Sequence, residues 1–484
     1  MNGDIKVSIK VLEYPKIETM DILTPDQIVK LIEDNQQIKN KCCENQDYYI
    51  GKNRAIVDKR GFDKDNPDSR VVVPYARTLT QIVKGYMYKP GLITYSSEDQ
   101  VYINTINEIF DFNDEPLVTA ELGESQSKYG LGIEILYVDQ NEENQTLPRF
   151  SSVKPEEIIL IYNMAIDPKV IGAIRYYITD KAPDMNMDIY SVEVYYSDRV
   201  GTYKLTDTNG KKSIEFITEY QHFFGEVPVN VYKNNTEMHA DYEPIKPLID
   251  AYDIMTSDSI NEMNRFASAY LILKDYIFSN PEDGNEKAKE LEMLKTRRVL
   301  EFMGGNGGAE FLTKDIPSEF FEVVKRTLRE DIEYHSHIPD FRGKNFEAKS
   351  GVALQWSLLD FENLCGDKQA LFEKGLRNRI KLINNFMSIK ALEASKIDIN
   401  FKRNTPADYT TLINTIIQLK TSGLLSDEDL IYMMPAEWVP DPEAALERMN
   451  QQKEENMIRF DEMSMGAEGG EDGEDKNDVQ DSAE

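Results

Sequence analysis

Cysteine, histidine and tryptophan are scarce in this chain: 484 residues contain three Cys, four His and two Trp. Cys42, Cys43 and Cys365 cannot build a disulfide framework and match no zinc-ligand spacing, which indicates a reducing compartment. His335 and His337 stand two residues apart and would point to different sides of a helix. With only His222 and His239 besides, a histidine-based triad is poorly supplied. No window approaches about eighteen apolar residues, and the amino terminus lacks a basic start, an apolar core and a cleavage site. Neither a membrane partner nor a signal peptide is expected.

Positive charge is short as well. The 55 Lys and Arg stand against 86 Asp and Glu, a net −31. The run 466–484 holds eight acids and one Lys, or −7, which leaves −24 for the rest, so the acidity belongs to the folded body. Broad non-specific adhesion to nucleic acid rests on many Lys and Arg contacts to phosphate. Any DNA partner is therefore held loosely or at one local place. A GxxxxGK[ST] phosphate loop is missing, and Gly304, Gly305, Asn306, Gly307 and Gly308 lead into a strand-like run, not a helix start. Asp63, Asp65 and Asp68 resemble part of a calcium loop, but Pro67 and Asp68 occupy the places of a ligand and the required Gly, and Pro74 that of the bidentate Glu. No metal, no cofactor and no enzymatic activity is expected.

What the chain does contain is alternating regions of helix and strand. Thr24-Pro25-Asp26-Gln27 combines an N-cap, a first-turn Pro and a capping-box Gln, and predicts a helix to about Tyr48. Helices follow at 73–90 and from about Pro116 to Tyr129. The middle reads as an antiparallel sheet, with short β-branched and aromatic runs at 130–139, 156–163, 173–179, 188–198, 201–207 and 214–220, and an Asn209-Gly210 hairpin signal. After Pro247 a helix carries Leu248, Tyr252, Met255, Ser259, Met263, Phe266 and Tyr270 on one stripe. The opposite stripe is polar throughout: Asp250, Asp253, Ser257, Asn261 and Asn264. An insert of roughly forty residues follows, in which two short apolar runs flanking Gly304–Gly308 suggest a hairpin with a flexible tip. A further helix stops before Pro339. The longest periodic element runs from Ser350 to about Ala394, with Lys368 and Arg379 on the same stripe as Leu354, Phe361, Phe372 and Ile383. At about 1.5 Å per residue that predicts a rod of roughly 60 Å. The acidic tail after about Phe460 cannot bury enough to fold.

Between the last two helices lies "HIPDFRGKNFEAKSGVALQW", 337–356, a small basic loop that ends in the N-cap Ser350. Taken alone the stretch reads as a surface loop; the family resemblance given next makes Arg342, Lys344, Asn345 and Lys349 the best candidates for transient DNA contacts. Arg342 and Lys349 could equally pair with Asp340 and Glu347.

Several segments, taken in order over about residues 20–460, resemble the portal proteins of tailed phages, of the long-tailed type found on Gram-positive hosts. They are "DYYIGKN" (47–53), "VPYARTLTQIVKGYMYKP" (73–90), "GLGIEILYVD" (130–139), "EVPVNVYKNN" (226–235), "PLIDAYDIMTSDSINEMNRFASAYLIL" (247–273) and "NFEAKSGVALQW" (345–356). The resemblance implies an α+β, predominantly helical, elongated subunit of a dodecameric ring at one capsid vertex. Its expected parts are a wing (1–243), a first stem helix (244–276), a clip (277–316), a second stem helix (317–338), a tunnel loop (339–350), a long helix (351–395), a crown (396–460) and an acidic tail (461–484). Implied partners are other copies of the chain, double-stranded DNA in the channel, the terminase large subunit, major capsid and scaffolding proteins, and a head-tail adaptor. The polar stripe 250–264 would line the channel, the glycines 304–308 would form the clip tip, and 342–349 the tunnel loop. The location would be the virion, with assembly in the host cytoplasm. An acidic conduit fits a duplex that must slide. The alternative is a structural adaptor or scaffold that encloses no DNA, for which a clip-sized insert between two helices has no use.

Overall fold

The computed structural model describes residues 14–58, 68–141, 144–182, 187–267, 270–274, 308–312, 318–341, 358–389, 396–405, 409–434 and 442–453, with 284–285, 288–289, 292, 356 and 438–439 between them. A strand, β1 (Lys16–Ile17), opens the described chain. Helices α1 (Pro25–Asp34), α2 (Gln36–Tyr49), α3 (Arg54–Val57) and α4 (Tyr75–Met87) follow, then β2 (Ile93–Ser96), α5 (Gln100–Phe112) and α6 (Glu115–Tyr129). The strand-rich middle comprises β3 (Leu131–Gln140), β4 (Thr146–Val153), β5 (Ile158–Asn163), β6 (Val170–Ala182), β7 (Met187–Tyr195), β8 (Arg199–Thr208), β9 (Lys211–Gln221) and β10 (Val229–Lys233). The expected start of α1 is present: Gln27 N–H donates to Thr24 Oγ1 at 3.4 Å, and Thr24 N–H to Gln27 Oε1 at 2.8 Å. The single helix expected to reach Tyr48 is two, because Asn35 closes α1 and opens α2. Helix α5 and strands β2, β4 and β10 were not anticipated from the periodic pattern.

Six strands form one sheet in the order β1-β5-β6-β7-β8-β9, with β1 parallel to β5 and the others antiparallel. Strand β5 is apolar without alternation because both faces are covered. Ile158 and Leu160 pack with Tyr14, Leu131, Ile133 and Val229. Ile159 and Ile161 pack on the other side with Ile28 and Ile32 of α1. Asn209 (φ 54°) and Gly210 (φ 83°) supply the two left-handed residues that a tight β8–β9 hairpin requires. A second sheet, β10-β3-β4, is antiparallel.

The later elements are α7 (Lys246–Ala267), β11 (Tyr270–Lys274), β12 (Gly308–Leu312), α8 (Ser318–Ser336), α9 (Leu359–Phe386), β13 (Asp398–Phe401), α10 (Tyr409–Ser422) and α11 (Asp427–Met433). The first of these helices was expected to continue to 276, but it gives way to β11. The reason is long-range pairing: the β-favouring run Tyr270–Lys274 forms an antiparallel ladder with Gly308–Leu312, Tyr270 opposite Leu312. This ladder closes the two ends of the insert and takes in Gly308–Leu312, the second arm of the hairpin expected across 304–308; the first arm lies outside the described residues. Gly308 begins β12 opposite Lys274, whereas Gly304, Gly305, Asn306 and Gly307 lie outside the described residues. Helix α9 is shorter than the expected rod, about 42 Å at 1.5 Å per residue. It ends before Ser388, whose φ is 57°. Two units are present, 1–404 and 405–484. Strand β13 pairs with β2 inside the first, although the segment was expected to open the crown.

Candidate functional site

Helices α7 and α8 flank the insert, and their feet enter one core: Ile249 and Ile332 are buried with Tyr242, Ile338, Phe361 and Cys365. The polar stripe of α7 was expected to line an aqueous channel. Asp253 and Ser257 do not, for they are 0% and 5% exposed within their own chain. The stripe instead grips the extended segment 69–73. Ser69 N–H donates to Asn261 Oδ1 at 2.7 Å, Val71 N–H to Ser257 Oγ at 3.0 Å and Val73 N–H to Asp253 Oδ1 at 2.9 Å. Asn264 reaches the Ser69 hydroxyl at 3.4 Å. Asp250 accepts from the Tyr48 hydroxyl and from Asn53 Nδ2, both at 2.8 Å, and Asn53 Nδ2 also reaches Asp253 Oδ2 at 3.0 Å. Every other N–H of an extended strand recurs after about 6.6 Å, and helical positions four apart rise about 6.0 Å. The two repeats match closely enough for 253, 257 and 261 to hold 73, 71 and 69 in turn. Burial raises the Asp253 pKa above the ordinary carboxylate value, and Asp250 adds to it, while the Val73 N–H and Asn53 oppose them.

Helix α9 is fastened in a different way. Its two cations on the apolar stripe, Lys368 and Arg379, are 1% and 0% exposed. Lys368 Nζ meets Asp241 at 2.7 Å and also bonds Asn234. Arg379 Nε donates to Glu134 Oε1 at 2.8 Å, and its Nη1 to Glu115 Oε1 at 2.9 Å. The guanidinium lies over the Phe150 ring at 4.4 Å. Glu134 also accepts from the Tyr232 hydroxyl at 2.9 Å and Asn230 at 3.2 Å, and Glu115 from the Tyr95 hydroxyl at 2.6 Å. Burial works against the Arg379 charge, but Glu134, Tyr232 and Glu115 hold its pKa above the ordinary value. Sequence reasoning placed both cations but missed their partners. The available signal was Glu134, a lone carboxylate inside the apolar strand Leu131–Val138.

Arg342, Lys344, Asn345 and Lys349 lie outside the described residues. Among the described residues there is no group of three or more His, Cys, Asp or Glu arranged to hold a metal, and no helix is long and apolar enough to cross a membrane.

The ionic and polar constellations are thus joints between structural elements, and two buttressed helices flank an insert whose ends are zipped together. These features describe a scaffold of joined elements, and the family comparison places that scaffold among phage portal proteins. The chain belongs to the family described as "Phage portal protein, SPP1 Gp6-like", whose model matches residues 28–458. It is similar to the portal protein of Clostridium phage phiCD119, 28% identical over 314 residues, covering 64% of this chain and 67% of that one. It is also similar to the portal protein of Bacillus phage SPP1, 24% identical over 416 residues, covering 80% and 76%. A solved structure titled "Neck of empty GTA particle computed with C6 symmetry" is aligned over 80% of this chain and 92% of that one, with 11% identity and a TM-score of 0.43. Membership carries a role in genome packaging, an oligomeric ring and a place in the virion capsid.

Proposed function

We propose that twelve copies form the ring at one capsid vertex, the conduit for double-stranded DNA entering and leaving, and the platform for the terminase large subunit and a head-tail adaptor. The observation that carries the reading is the family match across 28–458, which spans both flanking helices and the insert between them. In this reading residues 1–243 are the wing and α7 and α8 the stem. Residues 277–316 are the clip; β11 and β12 zip its base, and Gly308, opposite Lys274, belongs to that base and not to a tip. Residues 339–350 are the tunnel loop, the segment around α9 the long helix, and 396–460 the crown. Because 69–73 occupies the polar stripe of α7, the channel wall falls to exposed positions of that helix such as Asp258. Arg342, Lys344, Asn345 and Lys349 make the transient phosphate contacts. Assembly takes place in the host cytoplasm beside capsid and scaffolding proteins.

Negative-stain microscopy of the purified chain tests the reading: ring particles with a central hole are expected, and monomers under all conditions would refute it. Neutralising Lys344 and Lys349 should leave rings intact and alter packaging. Loss of the rings instead would assign these lysines to contacts between subunits.

A further inference from the structure

Strand β9 is the outer edge of the six-stranded sheet among the described strands. Its eleven residues leave Phe216, Ile217 and Tyr220 half exposed, and Phe223 just beyond is 70% exposed. A long apolar edge of this kind is a template for another strand unless something covers it. A cavity of about 350 Å³ lies between α1 and this edge, lined by Val29, Lys30, Glu33, Lys212 and Ile214. The register pairs Ile214 with Leu205 and Phe216 with Tyr203, which puts both on the face beneath α1, and pairs Glu215 with Lys204 on the other face.

One segment of the chain has the matching pattern. Residues 5–11 read Ile-Lys-Val-Ser-Ile-Lys-Val, apolar at 5, 7, 9 and 11, with Lys6 and Lys10 between and no acid. Laid with Val7 and Ile9 beside Ile214 and Phe216, the segment sets Ser8 opposite Glu215, with Lys6 and Lys10 on that same face one diagonal step away. Its own β9 is out of reach. Lys16 pairs with β5 at the opposite edge, five strand steps from β9 and therefore about 24 Å away. Val11 stands five residues before Lys16 and can extend only about 17 Å.

We propose that residues 5–11 of one subunit add as an extra strand to the β9 edge of a neighbouring subunit. The inference rests on the ring reading above and names one of its joints.

The test assembles full-length rings from a mixture of ¹⁴N and ¹⁵N chains in which Phe216 is replaced by a photo-crosslinking phenylalanine analogue, with Ile217 as a second probe site. After irradiation and digestion, adducts joining the β9 peptide to residues 5–11 with mixed isotopes are expected, and Ile9→Glu in the same chains should abolish them. Rings whose adducts are of one isotope only, fall elsewhere or are missing at both probe sites overturn this joint and leave the ring reading standing. Failure to form rings under any condition overturns the ring reading, and this inference with it.

Discussion

Removing Arg379 is the most exacting test of how α9 is held. The side chain is 0% exposed and stands between Glu115 and Glu134, themselves 3% and 0% exposed. Arg379→Met keeps most of the volume but strands two buried carboxylates. Breaking a buried ion pair by removing one partner costs about 3–5 kcal/mol, and here two partners are orphaned, so the upper end is expected. The triple variant Arg379→Met, Glu115→Gln, Glu134→Gln carries no charge at the site. Its Gln carbonyls still accept from Tyr95, Thr119, Tyr232 and Asn230, the donors now serving the two carboxylates. Exchanging a complete buried ionic set for uncharged groups is often close to neutral, so the triple variant should recover most of the loss. Urea unfolding at fixed protein concentration, read as the midpoint at constant slope, measures both. A single variant costing under about 1 kcal/mol, or a triple variant no better than the single, would show that stranded buried charge does not set the cost of losing Arg379.

Gly375→Ala would ordinarily favour a helix by about 0.5–1 kcal/mol. Here the added Cβ would lie 2.4 Å from the Tyr232 ring, so the sign reverses and a loss of about 1–3 kcal/mol is expected by thermal or urea unfolding. Burial pushes the Cys365 thiol up to about 12 and Cys42 higher still, while the half-buried Cys43 is raised less severely. A thiol reagent at pH 8 should therefore label Cys43 slowly in the native protein and all three only in denaturant. The folded pKa of Asp253 is raised, so its contribution to stability is greatest below the ordinary carboxylate value and declines as pH rises through the folded value. The difference in melting temperature between Asp253→Asn and the parent should thus vary with pH over that window and be flat above it; a difference constant from pH 3 to 7 would contradict the assignment.

How far the fold was legible depends on the range of the forces involved. The Thr24 capping box and the Asn209-Gly210 turn are local, and both stand where the sequence puts them. The strand β11 was hidden because Tyr270–Leu273 continues the helical stripe of α7 at least as well as it reads as a strand. Its partner, Gly308–Leu312, lies about forty residues on, and no periodicity reports such pairing. The division of the first helix at Asn35 is equally invisible, since the apolar spacing carries through it. Lys368 and Arg379 were visible as cations on an apolar stripe, which on a buried helix demands carboxylate partners. Naming Asp241, Glu115 and Glu134 required the fold, because the acids come from a turn, a helix and a strand far from α9 in the chain.

The polar stripe of α7 shows what charge and composition leave out. A helix face without apolar residues meets either water or another segment's backbone, and charge count alone does not separate the two. Side-chain length does. A solvated face gains from long charged side chains, which keep their rotamer freedom and pair at i,i+4. The exposed side of α8 follows that rule, with Glu319, Glu322, Arg326 and Glu330, and Arg326 within 3.9 Å of Glu330. The α7 stripe holds only Asp, Ser and Asn, whose polar atoms stay within two or three bonds of the helix and suit a strand lying directly against it. Their spacing of 253, 257 and 261 repeats at nearly the interval of alternate amides, and the segment 69–73 takes that place. Short polar residues at i, i+4, i+8 on one face thus mark a seat for extended backbone, and a channel wall has to be sought among the positions this seat leaves open.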